Sequence, residues 1–386
     1  MRNFVAARIN ELRPSGIRRY FEIASTMEDV VTLGIGEPNF VTPDHILEAG
    51  VASLRRGETG YTSNAGLIEL RRAIATYVER LYGLHYDPRA EVLVTVGVSE
   101  GLWLALKAVV DPGDEVLVVE PCFVSNAAAV EMVGGVPVRV NTSIEHEFQV
   151  TSEALEAAIT PRTKAILISY PNNPTGAVLT YEHMQQVASV AEKYDLVVIS
   201  DEIYERLVYD FEHINFATLP GMYDRTIVLS GMSKAFAMTG WRIGYVTAPP
   251  YLMEAIYKLH QYLIMSAPTM GQVAALEALL HGELDVQHMR AQYDRRRKLI
   301  VDGFNQLGFT CFEPRGAFYA FPNISVTGMN DEEFCDRLLH DARVAVIPGS
   351  AFGESGTGFI RASYATSDEN IERALERMHH FMLQHA

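Results

Sequence analysis

Short apolar runs alternate along this chain with stretches whose apolar residues recur every three or four positions. Between residues 91 and 247 the runs are Glu91 to Val96, Val116 to Val119, Val136 to Val140, Ala165 to Ser169, Leu196 to Ser200, Thr226 to Leu229 and Gly244 to Thr247. Strands covered on both faces are apolar throughout, so this alternation predicts an α/β fold with a mostly parallel seven-stranded sheet between helices. Ahead of it, Leu67, Leu70, Ile74, Tyr77, Val78 and Leu81 recur at helical spacing and predict a helix from about Leu67 to Leu81. The first forty residues hold a short amphipathic piece, then the extended segment Val30 to Pro38, whose two glycines let the backbone approach something closely. From about residue 290 a long helical pattern carries Arg295-Arg296-Arg297-Lys298, which reads as a solvated face. Short runs at Phe318 to Phe321, Arg343 to Ile347 and Phe359 to Arg361 then predict a few strands against helices. The expected division is an arm over 1–45, a large unit over 46–285 and a smaller α+β unit over 286–386.

In parallel sheets ligands sit beyond the carboxyl ends of the strands, so the residues just past each run carry the candidate chemistry. The first run is followed by Gly97-Val98-Ser99, a helix start that suits phosphate but occurs in many proteins. Phe123 follows the second run, and Tyr170-Pro171-Asn172-Asn173-Pro174-Thr175-Gly176 follows the fourth, a turn whose Asn side chains can face the site. The fifth delivers Asp201 and Tyr204; an aspartate there either has a cationic or protonated partner or caps the next helix. The sixth delivers Lys234 in a small, apolar, hydroxyl-rich stretch, with Arg242 close behind. Desolvation favours a neutral, nucleophilic amine, while the plain alternative is a lysine reaching out to water from a strand-helix junction. Gly36 offers a main-chain N–H or merely a turn, and Tyr61 is either core filler or a phenol presented from a loop. A single coenzyme would account for the amine, carboxylate, phenols, asparagine, helix start and guanidinium together.

Composition narrows this picture. The 386 residues are 48% hydrophobic and 21% charged, as in an ordinary globular protein. A net charge of −16 argues against a nucleic-acid-binding face spread over the surface. No apolar run approaches the length of a membrane span, and Met1-Arg2-Asn3-Phe4 lacks a signal-peptide core, so a cytoplasmic location is expected. Cys122, Cys311 and Cys335 share no metal-ligand spacing and suggest neither a disulfide framework nor a metal site.

Four motifs in order carry a family resemblance over nearly the whole chain: Tyr170 to Gly176, Ser200-Asp201-Glu202-Ile203-Tyr204, Ser233 to Gly244, and Arg361-Ala362-Ser363-Tyr364. The chain resembles the class I aminotransferases among the fold-type I pyridoxal 5′-phosphate (PLP) enzymes, in the aspartate and aromatic branch. The resemblance implies that Lys234 bonds the coenzyme and moves the substrate proton, that Asp201 pairs with the ring nitrogen, and that Asn173 and Tyr204 face the ring 3′-oxygen. It implies Phe123 on the ring face, and phosphate held by Gly97, Val98, Ser99 and Arg242, with Tyr61 reaching in from the partner of a homodimer. Arg361 would grip the substrate carboxylate beside the Gly36 N–H. Gly231 stands where many relatives have a hydroxyl residue, which leaves Ser230 or Ser233 to contact phosphate, and Asn39 stands where an acidic residue is usual.

The activity implied is a ping-pong transfer of the amino group of an L-amino acid, aromatic or aspartate-like, to 2-oxoglutarate. A PLP-dependent carbon-sulfur β-lyase, or an aminotransferase of acylated diaminopimelate, would use the same residues. A PLP-binding regulator is disfavoured, because the chain shows no basic helix-turn-helix segment.

Overall fold

A computed structural model describes residues 4–6, 9, 10, 12, 16, 20, 23 and 26–385. The expected amphipathic piece, like most of the arm before residue 26, lies outside the described residues. The first described strand is β1 (Val31–Thr32), and the predicted runs form β2 (Val92–Thr95), β3 (Glu115–Glu120), β4 (Val136–Asn141), β5 (Thr163–Ser169), β6 (Val197–Asp201), β7 (Thr226–Gly231) and β8 (Gly244–Thr247). They make one seven-stranded sheet in the order β2-β8-β7-β6-β5-β3-β4. Neighbours from β4 to β7 are parallel, and β8 runs antiparallel to both β7 and β2.

The side chains explain why these runs pair as they do. Leu117, Val118, Ile166, Val198, Ile199, Ile227 and Leu229 are all buried, because helices cover both faces of the sheet. Each such side chain contributes about 1.5–3 kcal/mol by leaving water. The helix expected from Leu67 to Leu81 spans Ile68–Tyr82, with Leu70, Ile74, Tyr77 and Val78 on its buried stripe and Leu67 just outside its start. No helix of the described residues is long and apolar enough to cross a membrane.

Beyond residue 290 the chain forms β9 (Thr310–Cys311), β10 (Tyr319–Ala320), β11 (Pro322–Asn323), β12 (Val344–Ala345), β13 (Ile347–Pro348) and β14 (Ile360–Ser363). β14 lies between β10 and β13, antiparallel to both, while β12 pairs in parallel with β1. That last pairing draws the segment after β1 across the molecule: the Leu33 carbonyl accepts from Ser363 N–H at 2.6 Å. A residue of the last antiparallel strand, Arg361, is thereby set beside the loop at Gly34 to Gly36.

The basic cluster corrects the sequence reading. Arg295 and Lys298 face water on the helix Glu283–Gln306, but Arg296 and Arg297 are buried. The Arg297 side chain is 1% exposed and pairs with Asp210 (2.9 Å), Asp294 (2.7 Å) and Glu313 (2.9 Å). It also donates to the Pro314 carbonyl at 3.0 Å. Arg296 donates to Asp368 at 2.9 Å and to Asn39 at 3.0 Å, so Asn39 ties the N-terminal segment to this helix. A charge run says nothing of helix rotation, and four consecutive residues span every face of a helix.

We expect Arg297→Met to lower the unfolding free energy by about 3 kcal/mol, below the upper range for a buried pair because Asp210 and Glu313 face water. Urea unfolding at fixed protein concentration measures it, and an unchanged midpoint would mean that these ion pairs are not structural.

Candidate active site

The parallel strands bring their carboxyl ends to one rim, and β8, running the other way, begins there. Residues just past β2, β5 and β7, the last residue of β6 and the residue two before β8 therefore converge, which places Gly97, Asn173, Asp201, Lys234 and Arg242 together. The close approach of three backbones holds this rim. A Cβ on Gly231 would lie 2.7 Å from Gly244 Cα, and one on Gly244 would lie 2.6 Å from the Gly97 carbonyl carbon. Gly231, where a hydroxyl residue was expected to be useful, is thus a position with no room for any side chain.

Lys234 is half-buried in the short helix Met232–Ala235, and its amine turns inward to donate to the Gly36 carbonyl at 2.7 Å. The water-seeking alternative is excluded by that geometry. Its amine lies 5.5 Å from the centre of the Tyr204 ring and 5.6 Å from that of Phe318. Desolvation, helped by the positive charge of Arg361, brings its pKa down to about 8, against the opposing pull of Glu37 and Asp201. Gly36 takes part through its carbonyl, where the sequence pointed to its N–H.

Asp201 is the last residue of β6 and is buried; its Oδ1 accepts from Ile203 N–H at 3.2 Å. No helix starts there, so the capping alternative falls. Burial raises its pKa to about 7, and among the described residues it forms no ion pair. Tyr204 is buried and shares a hydroxyl–hydroxyl hydrogen bond of 2.7 Å with Tyr319, while burial pushes its phenol well above the usual range.

Arg361 is 2% exposed. It donates from Nη1 to Asn173 Oδ1 at 2.9 Å and from Nη2 to the Gly34 carbonyl at 2.6 Å, and its Nε is buried with no acceptor among the described residues. Its guanidinium lies 4.6 Å from the ring centre of Tyr319 and 4.8 Å from that of Phe352. Asn172 does not face the site: it closes its own turn by bonding Pro121, Ser169 and Thr175.

At the far side of the rim, Gly97 has φ +71° and opens the helix Gly97–Val109. A Cβ there would meet Arg242 Nη2 at 2.5 Å, so the guanidinium lies directly over the helix start, with Ser99 exposed in its first turn and Val98 half-buried. Arg242 is held by a left-handed backbone (φ 58°) and a 2.9 Å bond to the Thr239 carbonyl. Ser233 is buried next to Lys234, and Ser230 is buried opposite Tyr245 on β8. Phe123 borders on exposure at the end of the segment after β3. Tyr61, at 83% exposure, points away from its own chain. A cavity of about 600 Å³ borders the rim through Glu37, Trp241 and Arg242.

The sequence reading missed Tyr319, which touches Tyr204, Arg361 and the Gly36 backbone, and it missed the Gly34 carbonyl and Phe352. The signal for Tyr319 was available: in Phe318-Tyr319-Ala320-Phe321 the strand period puts Tyr319 and Phe318 on opposite faces. Cys122 is buried and its thiol pKa is pushed up by burial, which removes it as a nucleophile.

Comparison with known proteins shows the family. The family model for aminotransferases of class I and II matches residues 28–378. The chain is 50% identical to the putative aminotransferase YugH of Bacillus subtilis, covering 99% of each chain. It is 45% identical to an aspartate aminotransferase of Pyrococcus abyssi, covering 96% of each. The crystal structure of an aromatic aminotransferase from Pyrococcus horikoshii superposes with a TM-score of 0.91 at 43% identity, covering 95% of this chain and 99% of that one.

The lowered pKa of Lys234 sets a pH dependence. In coenzyme-free protein, reductive alkylation of Lys234 by a small aldehyde should rise with pH through about 8 and then level, because the neutral amine dominates above its pKa. Exposed lysines keep gaining reactivity toward about 10.4. Peptide mass spectrometry follows each lysine separately, and a midpoint for Lys234 matching the exposed ones would remove the desolvation argument.

Proposed function

The chain belongs to the class I and II aminotransferase family and is an aminotransferase, and from that premise we propose that it uses PLP to move the amino group of an aromatic or aspartate-like L-amino acid to 2-oxoglutarate. The observation that carries the reading is Arg361, a buried guanidinium with one N–H lacking any acceptor, set in the same cleft as the Lys234 amine. A guanidinium fork suits a carboxylate, and holding a substrate by that group presents its Cα to Lys234.

The residues also fit the coenzyme. The Gly97 helix start under the Arg242 guanidinium is a cradle for a phosphate, bare of any Cβ, with Val98 and Ser99 N–H groups following. Ser233 rather than Ser230 is the serine assigned to it, because Ser230 faces Tyr245 across the sheet. Asp201, buried without a cation of its own, suits a protonated ring nitrogen, and Asn173 and Tyr204 suit the ring 3′-oxygen. Phe123 offers a ring face above. When bound, PLP supplies an aldehyde that takes up the amine and a ring that accepts electron density from Cα. Lys234, about half neutral near pH 8, then takes the proton from Cα and returns it, while Tyr204 and Tyr319 position the groups around it. Donor and acceptor use one cleft in turn, which is a ping-pong sequence.

The aromatic side of the donor reading rests on the surroundings of Arg361, which are the rings of Tyr319 and Phe352, with Phe318 and Tyr204 alongside. Tyr61 with the exposed Tyr262, Leu263, Ile264 and Met265 offers an apolar surface for a second copy, in keeping with a homodimer whose sites are shared. The division into units at about residue 286 would place Arg361 and Lys234 on opposite sides of one cleft. Three free cysteines accord with a reducing, cytoplasmic setting.

A panel of donors with 2-oxoglutarate tests the reading. Glutamate should form with aromatic or acidic donors, whereas pyruvate and ammonia released from a cysteine conjugate without any oxo acid would replace it by a β-lyase. The phosphate cradle has its own test: Gly97→Ala should weaken PLP binding about ten- to hundredfold, because the methyl displaces Arg242. Unaltered PLP affinity in that variant would move the phosphate elsewhere.

A further inference from the structure

A second cleft, of about 460 Å³, opens between the helices Ile68–Tyr82 and Pro250–Leu263 at the β2 edge of the sheet, and it shares no lining residue with the Lys234 site. Its volume falls within the roughly 300–1,000 Å³ of small-molecule sites. Arg71 lines it. This residue is 8% exposed, and its guanidinium makes no hydrogen bond or ion pair among the described residues; its Nε is fully enclosed.

An arginine does not lose its proton in a protein, so Arg71 stays charged although burial, and the charge of Arg89 with it, pull its pKa down against Tyr257. A charge left buried and unpaired is costly. Among the described residues no carboxylate bonds or pairs with this arginine, and Asp87 acts on it only through its charge. Arg89, exposed on the same cleft, supplies a second cation, and Tyr257 a phenol. Leu93 and Met253 give an apolar wall, and Glu254 stands on the rim.

We propose that this cleft binds a small metabolite with a single anionic head, carboxylate or phosphate, held between Arg71 and Arg89 with its apolar part against Leu93 and Met253. The fork of Arg71 suits either oxyanion.

Calorimetric titration of the PLP-saturated protein with inorganic phosphate and, separately, with butyrate tests the site and tells the two head groups apart. PLP already fills the catalytic phosphate cradle, and any butyrate held at Arg361 persists in the variants, so the difference between proteins is what counts. Wild type should show a site that Arg71→Met weakens about ten- to hundredfold, the worth of a charge-assisted hydrogen bond. Arg89→Ser, a change on the exposed rim that leaves the fold intact, should weaken it in the same direction, and transamination without the probe should be unchanged in both. Equal binding of both probes in wild type and both variants would overturn the proposal. So would an Arg71→Met protein that dissociates into monomers more readily in sedimentation while wild type binds neither probe, since a carboxylate of a second copy would then be the partner.

Discussion

Taking water away from a charged group has opposite effects on a lysine and on an aspartate, and this site places one of each at adjacent strand ends. Desolvation lowers the Lys234 amine to about 8 and raises the Asp201 carboxyl to about 7. Two groups that differ by roughly six units in water come to lie about one unit apart. Arg361 sharpens the effect, because its positive charge disfavours a second cation on Lys234. The rings of Tyr204 and Phe318 lie 5.5 and 5.6 Å from the Lys234 amine and those of Tyr319 and Phe352 within 4.8 Å of the Arg361 guanidinium, so they keep water from both groups.

The sheet makes that arrangement available through its one reversed strand. With β8 antiparallel, the two residues before it reach the rim where its neighbours end, and Arg242 comes to the helix start at Gly97. The consequence is crowding. Gly97, Gly231 and Gly244 meet backbone to backbone, so the rim is built on positions where even a methyl group has no space. Small residues around Lys234 therefore reflect packing as well as reactivity.

Much of this was legible in the sequence because strand ends carry chemistry in a parallel sheet. All seven strands fell on predicted runs, and Asp201, Lys234, Asn173 and Arg242 were readable from their places at the ends of those runs. Contacts between distant segments were not. Tyr319 joins Tyr204 from 115 positions away, and the Gly34 carbonyl meets Arg361 across 327. The Gly36 carbonyl that accepts from Lys234 was likewise not legible, since peptide orientation depends on the β1–β12 pairing and not on local residues. The helix Glu283–Gln306 misled for a related reason: which of four adjacent basic residues turns inward is set by the acids of other segments, Asp210 and Glu313.

Arginines show how the use of their donors separates scaffold from ligand site in an acidic chain. A guanidinium has five N–H donors, and a structural arginine uses them. Arg297 spreads its donors over three carboxylates and a carbonyl. Arg225 is intermediate: its Nε lacks an acceptor, but Nη1 serves Asp195 and the carbonyls of Ala191 and Leu196. Among the described residues Arg361 has two neutral acceptors and no counter-charge, and Arg71 has no acceptor of either kind. Desolvation works against the charge of Arg297, Arg361 and Arg71 alike, and an internal anion offsets it within the fold. The deficit therefore ranks them, from Arg297 as pure scaffold to Arg361 and Arg71, which have no counter-charge among the described residues.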